Sequence, residues 1–442
     1  MNIILLSGGS GKRLWPLSND TMSKQFLRLL RNDKGEKESM VQRVFRQIKE
    51  TDIDANIVIA TAKSQAESIK SQLGENTDVV IEPERRNTFP AILLASAYLK
   101  YKKHVDEDDT VLVLPVDPYT ENTYFETLLK MDKAIQAGNA DMTLMGIVPT
   151  YPSEKYGYIV CEETTNEVKK VIKFQEKPSL EKAKELLLQH AYWNAGVFGF
   201  KLSYIMNILE KNISINSFEE LQSRFIELKK DSFDYEVVEK ADSINMIPYQ
   251  GKWKDLGTWN TLTEEMPSNH GNVITGEDNQ DVSVINVTDR PVVVLGIKDA
   301  VVVSSSEGVL VSNKEKSSYL KPYVEGLNEG RSLYEEKRWG EYRVLEIKEY
   351  EDHNKTLTKH LFIKEGKSIS LQSHSHRDEA WTIANGEGLL TLGEKTRKVT
   401  KGEMIFIPKK EKHKIIAITD LDIIEVQLGD EVIEEDIVRY DI

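Results

Sequence analysis

The chain of 442 residues has one cysteine, Cys161, so an intramolecular disulfide cannot form. It lacks any apolar run near the roughly 20 residues that span a bilayer, and no charged stretch at its start leads into a long apolar segment. It also lacks an excess of positive charge, since its formal net charge is -14. This negative charge argues against binding to nucleic acid. These absences predict a cytoplasmic protein that binds neither membranes nor nucleic acid, and its length predicts two or three domains.

A loop of small residues follows the first apolar run, residues 3–6, which is typical of a buried strand. The small residues of this loop are Gly8, Gly9, Ser10 and Gly11. They allow backbone N–H groups to approach phosphate oxygens closely, and Arg13 and Lys24 then add positive charge. The combination predicts a site for a nucleoside triphosphate.

This loop matches neither of two common phosphate-binding motifs. A Walker A loop ends in Gly-Lys-Ser/Thr, whereas Gly11 and Lys12 are followed here by Arg13, and Leu6 stands where the first glycine is required. A dinucleotide-binding loop opens a helix, which Trp15-Pro16 would interrupt. The alternative is that this glycine cluster is only a turn that ends a strand, which would be the usual interpretation if it stood alone. The cationic and aromatic residues nearby favour a loop that binds phosphate.

Short apolar runs alternate with helical patterns up to about residue 139. The strand-like runs are residues 3–6, 57–60, 79–81 and 111–114, and a helical stretch covers residues 90–101. This alternation predicts a parallel α/β sheet, which binds ligands beyond the carboxyl ends of its strands. Gly8, Glu82 and Asp117 each follow such a strand, so we expect the nucleotide there.

Beyond residue 142 the pattern is mixed, and we interpret residues 142–266 as the sugar-phosphate half of the same domain. Strands are expected at residues 143–147, 157–161 and 197–201, and helices at residues 180–190 and 204–211. Short β runs follow at residues 282–287, 292–297, 301–304 and 309–312. They fit either the turns of a small β-helix or an ordinary β-meander.

Several motifs, spread over the chain, together identify a family. They are GGSGKRLWPLS with KQFL (residues 8–18 and 24–27), EP with RNT (82–83 and 86–88), LPVD (114–117), YGYI (156–159), FQEKP (174–178), WNAG (193–196) and WKDLGTW (253–259). As a set they resemble the bacterial mannose-1-phosphate guanylyltransferases, in the long form that carries a phosphomannose isomerase domain. The resemblance implies a Rossmann-like α/β nucleotidyltransferase domain (residues 1–268), a left-handed β-helix-like connecting segment (269–328) and a β-barrel cupin (329–442).

The implied reaction transfers the GMP moiety of GTP to mannose 1-phosphate and yields GDP-mannose and pyrophosphate. Because several negative oxygens meet, catalysis must come mainly from positioning and charge neutralisation. By resemblance, Arg13 and Lys24 hold the triphosphate and Lys177 holds the sugar phosphate. The alternative for each of these cations is an exposed, solvated side chain.

Asp117 and Asp255 are the carboxylates that the resemblance assigns to Mg²⁺, whose sites typically use one or two carboxylates with phosphates and water. An aspartate after a strand can instead cap a helix. The family commonly has histidine after the first aspartate, whereas this chain has Pro118.

The remaining site residues are also implied by resemblance. The nucleotide site would contain Leu6, Gly8, Gly9, Ser10, Gly11, Glu82, Asn87 and Thr88. The sugar phosphate site would contain Gly157, Glu176 and Asn194. A turn residue is the alternative role for Asn194.

Two motifs near the C-terminus are typical of cupins. The first is GKSISLQSHSHRDEAWTIANG (residues 366–386), and the second is GEMIFIP (402–408) with His413 following. The cupin metal ligands would be Gln372, His374, Glu379 and His413, with glutamine at the first histidine position as in type II phosphomannose isomerases. This donor set suits zinc or another divalent transition metal. Arg377 would bind phosphate or stabilise an enediolate when mannose 6-phosphate is isomerised.

Two departures leave the isomerase activity open. The usual Pro-x-Gly-x-x-His turn lacks its glycine at residues 408–413, and the sequence stops before the family's Asp-x-Tyr-Gly-Arg ending, so the last strand is expected to be incomplete. The alternative is a structural barrel without metal. The other hypotheses are a pyrophosphorylase that uses another sugar 1-phosphate or nucleotide, and a non-catalytic protein that binds a nucleotide sugar. The resemblance also implies a homo-oligomer.

Overall fold

The computed structural model of the protein describes residues 1–9, 12–19, 22–51, 53–266, 269–327 and 332–440. The chain forms two compact units. The first unit contains Met1–Gly9, Gln25–Ala66 and Glu75–Leu256, and the second contains Ser10–Lys24, Glu67–Gly74 and Gly257–Ile442. The second unit therefore includes the loop that follows the first strand, although that loop is near the N-terminus. The predicted domain boundaries at residues 268 and 328 lie outside the described residues and stay predictions.

The chain up to residue 256 contains both helices and strands. The strands are β1 (Asn2–Ser7), β2 (Leu30–Arg31), β3 (Lys37–Glu38), β4 (Asn56–Ala62), β5 (Asp78–Glu82), β6 (Thr110–Pro115), β7 (Pro118–Thr120), β8 (Met142–Ile147), β9 (Tyr158–Cys161), β10 (Lys169–Gln175), β11 (Tyr192–Lys201), β12 (Ile244–Tyr249) and β13 (Trp253–Asp255). The helices are α1 (Met40–Glu50), α2 (Ala66–Leu73), α3 (Thr88–Tyr101), α4 (Asn122–Gln136), α5 (Leu180–Leu188), α6 (Leu202–Asn212), α7 (Phe218–Ser223) and α8 (Phe233–Glu236).

The centre of the first unit is a nine-stranded sheet in the order β5-β4-β1-β6-β11-β8-β12-β10-β9. Strands β5, β4, β1 and β6 are parallel, which confirms the parallel sheet predicted for the first half. β11 runs antiparallel between β6 and β8, so the complete sheet is mixed. β1 is buried along nearly its whole length, as expected for a strand whose two faces are both covered.

Helix α3 lies in the core of this unit. It is apolar on almost every side, and a helix of that kind is stable only when other elements surround it. Its residues Ile92, Leu93 and Leu94 are fully buried in a cluster that also contains residues of the sheet and of α6 to α8. A smaller antiparallel pair, β7 with β13, lies outside the main sheet and carries part of the candidate site.

The second unit continues with β14 (Val273–Thr275), β15 (Gln280–Asn286), β16 (Val292–Val294), β17 (Lys298–Ser305), β18 (Gly308–Asn313), α9 (Trp259–Glu264) and α10 (Lys321–Val324). β14 pairs with β16 and β15 pairs with β17, both in parallel. Val273 lies beside Val292 and Val282 beside Ala300, so successive coils of about 18 residues stack on each other. These parallel pairs favour the β-helix over the meander, although β18 closes the stack as an antiparallel strand.

The C-terminal part is a β-barrel. Its strands are β19 (Tyr334–Lys337), β20 (Gly340–Glu349), β21 (Lys355–Ile363), β22 (Ser368–Ser373), β23 (Arg377–Asn385), β24 (Glu387–Leu392), β25 (Lys395–Thr400), β26 (Met404–Ile407), β27 (His413–Ala417), β28 (Leu421–Gly429) and β29 (Val438–Arg439). They form a six-stranded sheet, β19-β20-β21-β28-β23-β26, and a five-stranded sheet, β25-β24-β27-β22-β29. Alternate residues point into the barrel, where Trp381, Ile383 and Ile423 are buried. In the described part of the chain, no helix is long and apolar enough to cross a membrane.

Candidate functional site

The pairing of β7 with β13 brings Asp117 and Asp255 to neighbouring positions. Asp255 lies opposite Pro118 in the ladder, and Asp117 directly precedes Pro118. Asp117 does not cap the next helix, because the N-cap of α4 is Glu121. The hydroxyl of Tyr156 lies close enough to both aspartates that, after burial, their negative charges contribute to its raised pKa. Two carboxylates that are distant in sequence therefore both act on the same hydroxyl group.

This arrangement fits a divalent cation. The hydroxyl of Tyr124 is buried and has no hydrogen-bond partner among the described residues. Burial and then the charge of Asp117 raise the pKa of Tyr124, so the hydroxyl keeps its proton. An unpaired buried donor near Asp117 fits a hydrated ion or a phosphate at this point, and Mg²⁺ prefers such oxygen ligands.

Gly157, Glu176 and Asn194 form one compact pocket. A Cβ atom at Gly157 would lie 2.5 Å from Glu176 Oε2 and 3.2 Å from Asn194 Cβ, so only glycine allows both side chains to lie so close. The Asn194 N–H donates to the Gly157 carbonyl at 2.8 Å. Asn194 also forms the turn that was its alternative role, because its Oδ1 accepts from the Gly196 N–H at 3.0 Å.

Asp234 belongs to the same pocket, although no sequence motif singles it out. Its Oδ1 accepts a hydrogen bond from Asn194 Nδ2 at 2.7 Å. Burial and the nearby charge of Glu176 raise the pKa of Asp234 to about 7. Lys177 Nζ pairs with Glu176 Oε1 at 2.9 Å. Burial lowers the pKa of Lys177, but Glu176 and Asp234 more than offset this effect, so the pKa is raised and the amine is charged.

Aromatic side chains pack around this pocket, and the sequence motifs did not assign them a role. The Tyr156 ring lies 4.8 Å from that of Trp193 and 5.5 Å from that of Trp253, measured between centroids. Since Tyr156 precedes Gly157 and faces Asp117 and Asp255, these rings connect the sugar pocket to the two carboxylates. Only their positions within the YGYI, WNAG and WKDLGTW motifs could have indicated them.

Several predicted nucleotide residues lie at the carboxyl ends of the parallel strands. Gly8 and Gly9 follow β1, Leu6 accepts from the Val116 N–H at 3.3 Å, and Glu82 is the last residue of β5. Glu82 is 8% exposed. Burial raises the pKa of Glu82 to about 7.

Asn87 and Thr88 have local roles at the start of α3. Asn87 is the N-cap residue, and its φ of 75° is unusual for a residue other than glycine. The Thr88 hydroxyl accepts from the Phe233 N–H at 2.9 Å and so holds the start of α8, which carries Asp234. A contact of either side chain with a nucleotide base stays a prediction.

Arg13 and Lys24 lie in short 3-10 helices, Lys12–Leu14 and Lys24–Phe26. The Arg13 side chain is exposed and that of Lys24 is half-buried. Both residues belong to the second unit. Ser10 and Gly11, which were predicted to bind the nucleotide, lie outside the described residues.

The cupin residues converge as predicted. His374, Glu379 and His413 present ligand atoms that lie within 4.8 Å of one another. The Gln372 carboxamide joins them, with Nε2 at 3.4 Å from His413 Nε2. All four predicted ligands are buried inside the barrel. The structure thus places the predicted donor set in one cluster.

The hydrogen bonds of both histidines leave Nε2 directed at the cluster. His374 Nδ1 lies 2.9 Å from the Asp436 carbonyl and His413 Nδ1 lies 3.1 Å from the Glu411 carbonyl, so each Nδ1 carries the proton. His374 Nε2 lies 3.1 Å from Glu379 Oε1 but without hydrogen-bond geometry, and it has no other partner in the described residues. Burial lowers the pKa of His413, so its ring is neutral near pH 7. A buried nitrogen lone pair of this kind fits a metal ion.

Glu379 is ionised in this cluster. Burial alone would raise its pKa, but neighbouring groups that include the charged Arg377 guanidinium lower the pKa to about 2. Arg377 Nε donates to Glu379 Oε1 at 3.1 Å, and Trp381 Nε1 donates to Oε2 at 3.2 Å. Arg377 is only 2% exposed, so its observed contact is with a candidate ligand, and its catalytic role stays a prediction.

The C-terminal segment pairs with the barrel. β29 pairs with β22, with Arg439 beside Gln372 and Val438 beside Ser373. The Asp436 carboxylate accepts from the Ser375 N–H at 2.8 Å. Asp436 and the two-residue strand β29 thus contact the strand that carries Gln372, and the expectation of an incomplete last strand stays a prediction.

Comparisons with known proteins agree with both parts of the chain. Residues 2–270 match the nucleotidyl transferase family, and residues 328–442 match the mannose-6-phosphate isomerase C-terminal family. The mannose-1-phosphate guanylyltransferase of Salmonella montevideo is 31% identical over 99% of this chain and 98% of its own. The alginate biosynthesis protein AlgA of Pseudomonas putida is 30% identical over 99% of this chain and 95% of its own.

A solved structure gives the same result. The crystal structure of a Thermus thermophilus protein described as mannose-1-phosphate geranyltransferase is 26% identical, with a TM-score of 0.60 over 73% of this chain and 98% of that one. Together with the site geometry, these similarities show that the chain belongs to the mannose-1-phosphate guanylyltransferase family.

Proposed function

We propose that this enzyme transfers the GMP moiety of GTP to mannose 1-phosphate and releases pyrophosphate. The observation that carries the proposal is the convergence of Asp117 and Asp255 beside Tyr156, next to the pocket of Gly157. A pocket for a polar sugar and a pair of carboxylates for a cation are what this reaction requires in one place.

A phosphate oxygen of the sugar phosphate attacks the α-phosphorus of GTP, and the bond from that phosphorus to the bridging oxygen breaks as pyrophosphate leaves. Lys177 is charged and lies at the rim of the sugar pocket, where it neutralises the attacking phosphate. Arg13 and Lys24 hold the triphosphate. When bound to Asp117 and Asp255, Mg²⁺ supplies further neutralisation of phosphate charge.

The sugar pocket recognises hydroxyl groups through acceptors. Glu176 and the half-buried Asp234 both present carboxyl oxygens, while Asn194 already uses Oδ1 and one N–H within the protein. Sugar hydroxyls donate to carboxylates in charge-assisted hydrogen bonds, which are stronger than neutral ones. We therefore assign Asp234 to the sugar site together with Gly157, Glu176 and Asn194.

Glu82 supplies a physical reason for guanine. A carboxylate at the end of β5 accepts hydrogen bonds from the N1–H and the amino group of guanine, whereas adenine presents an acceptor at N1. Because Glu82 is buried, a base that cannot donate hydrogen bonds to its carboxylate leaves a polar group unpaired and binds less tightly.

The test is release of pyrophosphate from GTP and mannose 1-phosphate with and without Mg²⁺. We expect Asp117→Asn and Asp255→Asn to reduce turnover by at least about 100-fold while the melting temperature stays close to that of the wild type. Asp54→Asn, a substitution at an exposed position, is the matched control and should retain full activity. Near wild-type rates in both site variants would overturn the metal assignment.

We propose a second activity, isomerisation of mannose 6-phosphate in the cupin. The observation that favours it is the orphaned His374 Nε2 among buried ligands, since a purely structural barrel has no need of an unpaired buried nitrogen. A divalent transition metal held by Gln372, His374, Glu379 and His413 would polarise the sugar carbonyl. Metal analysis of the purified protein, with His413→Ala as comparison, tests the site. No bound metal and no isomerisation would leave the barrel with a structural role.

A further inference from the structure

Described residues between Arg13 and Lys24 are joined by local hydrogen bonds. The Leu14 N–H donates to Ser18 Oγ at 3.2 Å. Asn19 and Met22 exchange two hydrogen bonds: the Asn19 N–H donates to the Met22 carbonyl at 3.0 Å, and the Met22 N–H donates to Asn19 Oδ1 at 2.7 Å. The positions of both cations therefore follow the position of the loop that contains these residues.

The loop is attached to the end of the nucleotidyltransferase region and to the connecting segment. Trp259 Nε1 donates to the Trp15 carbonyl at 3.0 Å, and Ser305 Oγ donates to the Pro16 carbonyl at 2.8 Å. A Cβ atom at Gly308, the first residue of β18, would lie 2.7 Å from the Trp15 ring. The Trp15 ring thus packs directly on the backbone at Gly308.

One side chain joins the loop to two later parts of the chain. Asn19 Nδ2 donates to Glu307 Oε1 at 3.2 Å and to Ser332 Oγ at 2.9 Å. Glu307 Oε1 also accepts from the Leu333 N–H at 2.6 Å. The loop, the connecting segment and the first residues of the cupin therefore meet at Asn19 and Glu307.

We propose that Asn19 and Glu307 are positioning residues for the transferase, which hold the loop of Arg13 and Lys24 in the conformation that binds the triphosphate. The inference rests on the proposed function, in which both cations bind GTP. It makes the connecting segment and the start of the cupin the support of the loop that carries both cations, although neither contains a residue assigned to the transferase reaction.

The proposal is tested with the substitution Asn19→Asp. Aspartate has the shape of asparagine and keeps the oxygen that accepts from the Met22 N–H, but it replaces the amide group that donates to Glu307 by a second carboxylate oxygen. We expect KM for GTP to rise about tenfold, because a charge-assisted hydrogen bond is lost, while KM for mannose 1-phosphate stays within about twofold. Asn32→Asp is the control, since Asn32 Nδ2 also donates to a glutamate, Glu36, at 2.9 Å, but in an exposed turn. It should leave both KM values unchanged.

A second substitution separates positioning from general damage. Glu307→Gln in the Asn19→Asp protein removes the like-charge pair and should return most of the lost affinity for GTP. If Asn19→Asp lowers the melting temperature strongly, Ser305→Ala replaces it, because it removes one hydrogen bond to the loop and should give the same selective rise in KM for GTP.

Equal changes in KM for both substrates, an unchanged KM for GTP, or no recovery in the double variant would overturn the proposal. Wild-type turnover is measured first and decides the proposed function separately: without it the transferase itself is refuted, and with it the variants decide the role of Asn19 and Glu307.

Discussion

Gly157→Ala is the substitution whose effect the structure defines most closely. The new Cβ would lie 2.5 Å from Glu176 Oε2 and 3.0 Å from Phe174 Cζ. The carboxylate would have to retreat by about 1 Å to reach ordinary contact distance. The Glu176 carboxylate cannot move freely, because its side chain is only 6% exposed and its Oε1 forms an ion pair with Lys177 Nζ at 2.9 Å. Backbone strain is not involved, since Gly157 has no positive φ.

A displacement of this size in a group that binds substrate lowers catalytic efficiency by about 100-fold. We therefore expect kcat/KM for mannose 1-phosphate to fall by about that factor, while KM for GTP changes little. Overpacking costs about 1–3 kcal/mol of stability, so the melting temperature should fall by only a few degrees. Gly326→Ala is the control, because a Cβ there would have no neighbour within 4 Å. Wild-type efficiency in a folded Gly157→Ala protein would refute the sugar pocket.

Three further predictions follow from the buried groups. Burial raises the pKa of Glu82 to about 7 from an ordinary value of 4.5. Because ionisation is therefore harder in the folded state, the free energy of unfolding should fall by up to about 3 kcal/mol as pH rises from 4.5 to above 7. In denaturant unfolding, the free energy of unfolding of Glu82→Gln should therefore equal that of the wild type below pH 4.5 and exceed it at pH 8. Equal values at pH 8 would contradict this prediction. Chelation of metal should lower the free energy of unfolding of the wild type, but not that of His374→Ala, by about 3 kcal/mol when the metal was present at about one hundred times its Kd. No difference between the two proteins would count against the cupin site. Asp234→Asn should raise KM for mannose 1-phosphate and leave KM for GTP unchanged, whereas the control Asp231→Asn should change neither value. An unchanged KM for mannose 1-phosphate in Asp234→Asn would exclude Asp234 from the sugar pocket.

The sequence predicted most of the elements of the first unit because their signals are local. Runs such as residues 111–114 are continuous and apolar, as parallel strands covered on both faces must be, and β6 forms there. The antiparallel insertion of β11 between β6 and β8 was not predictable in this way, because strand order depends on contacts between distant residues.

The candidate site was predicted mainly through motifs. Spacing alone gives no reason for Asp117 and Asp255 to meet, and they do so only through the pairing of β7 with β13. Asp234 was missed because its short helix resembles an ordinary capped turn, in which Ser232 Oγ accepts from the Tyr235 N–H at 3.3 Å.

The attachment of the loop near Trp15 to later residues has no signal in the sequence. Two of its hydrogen bonds go to backbone carbonyls, those of Trp15 and Pro16, which every residue type offers. The partners, Trp259 and Ser305, are more than 240 residues away along the chain. Only the folded structure shows which side chains reach them.

The most direct test of the account is pyrophosphate release by the wild-type protein from GTP, ATP, CTP and UTP in turn, each with mannose 1-phosphate and Mg²⁺. We predict turnover with GTP and far slower release with the other three nucleotides. Release with none of them, or equal release with all four, would contradict a guanylyltransferase built on Asp117, Asp255 and Glu82.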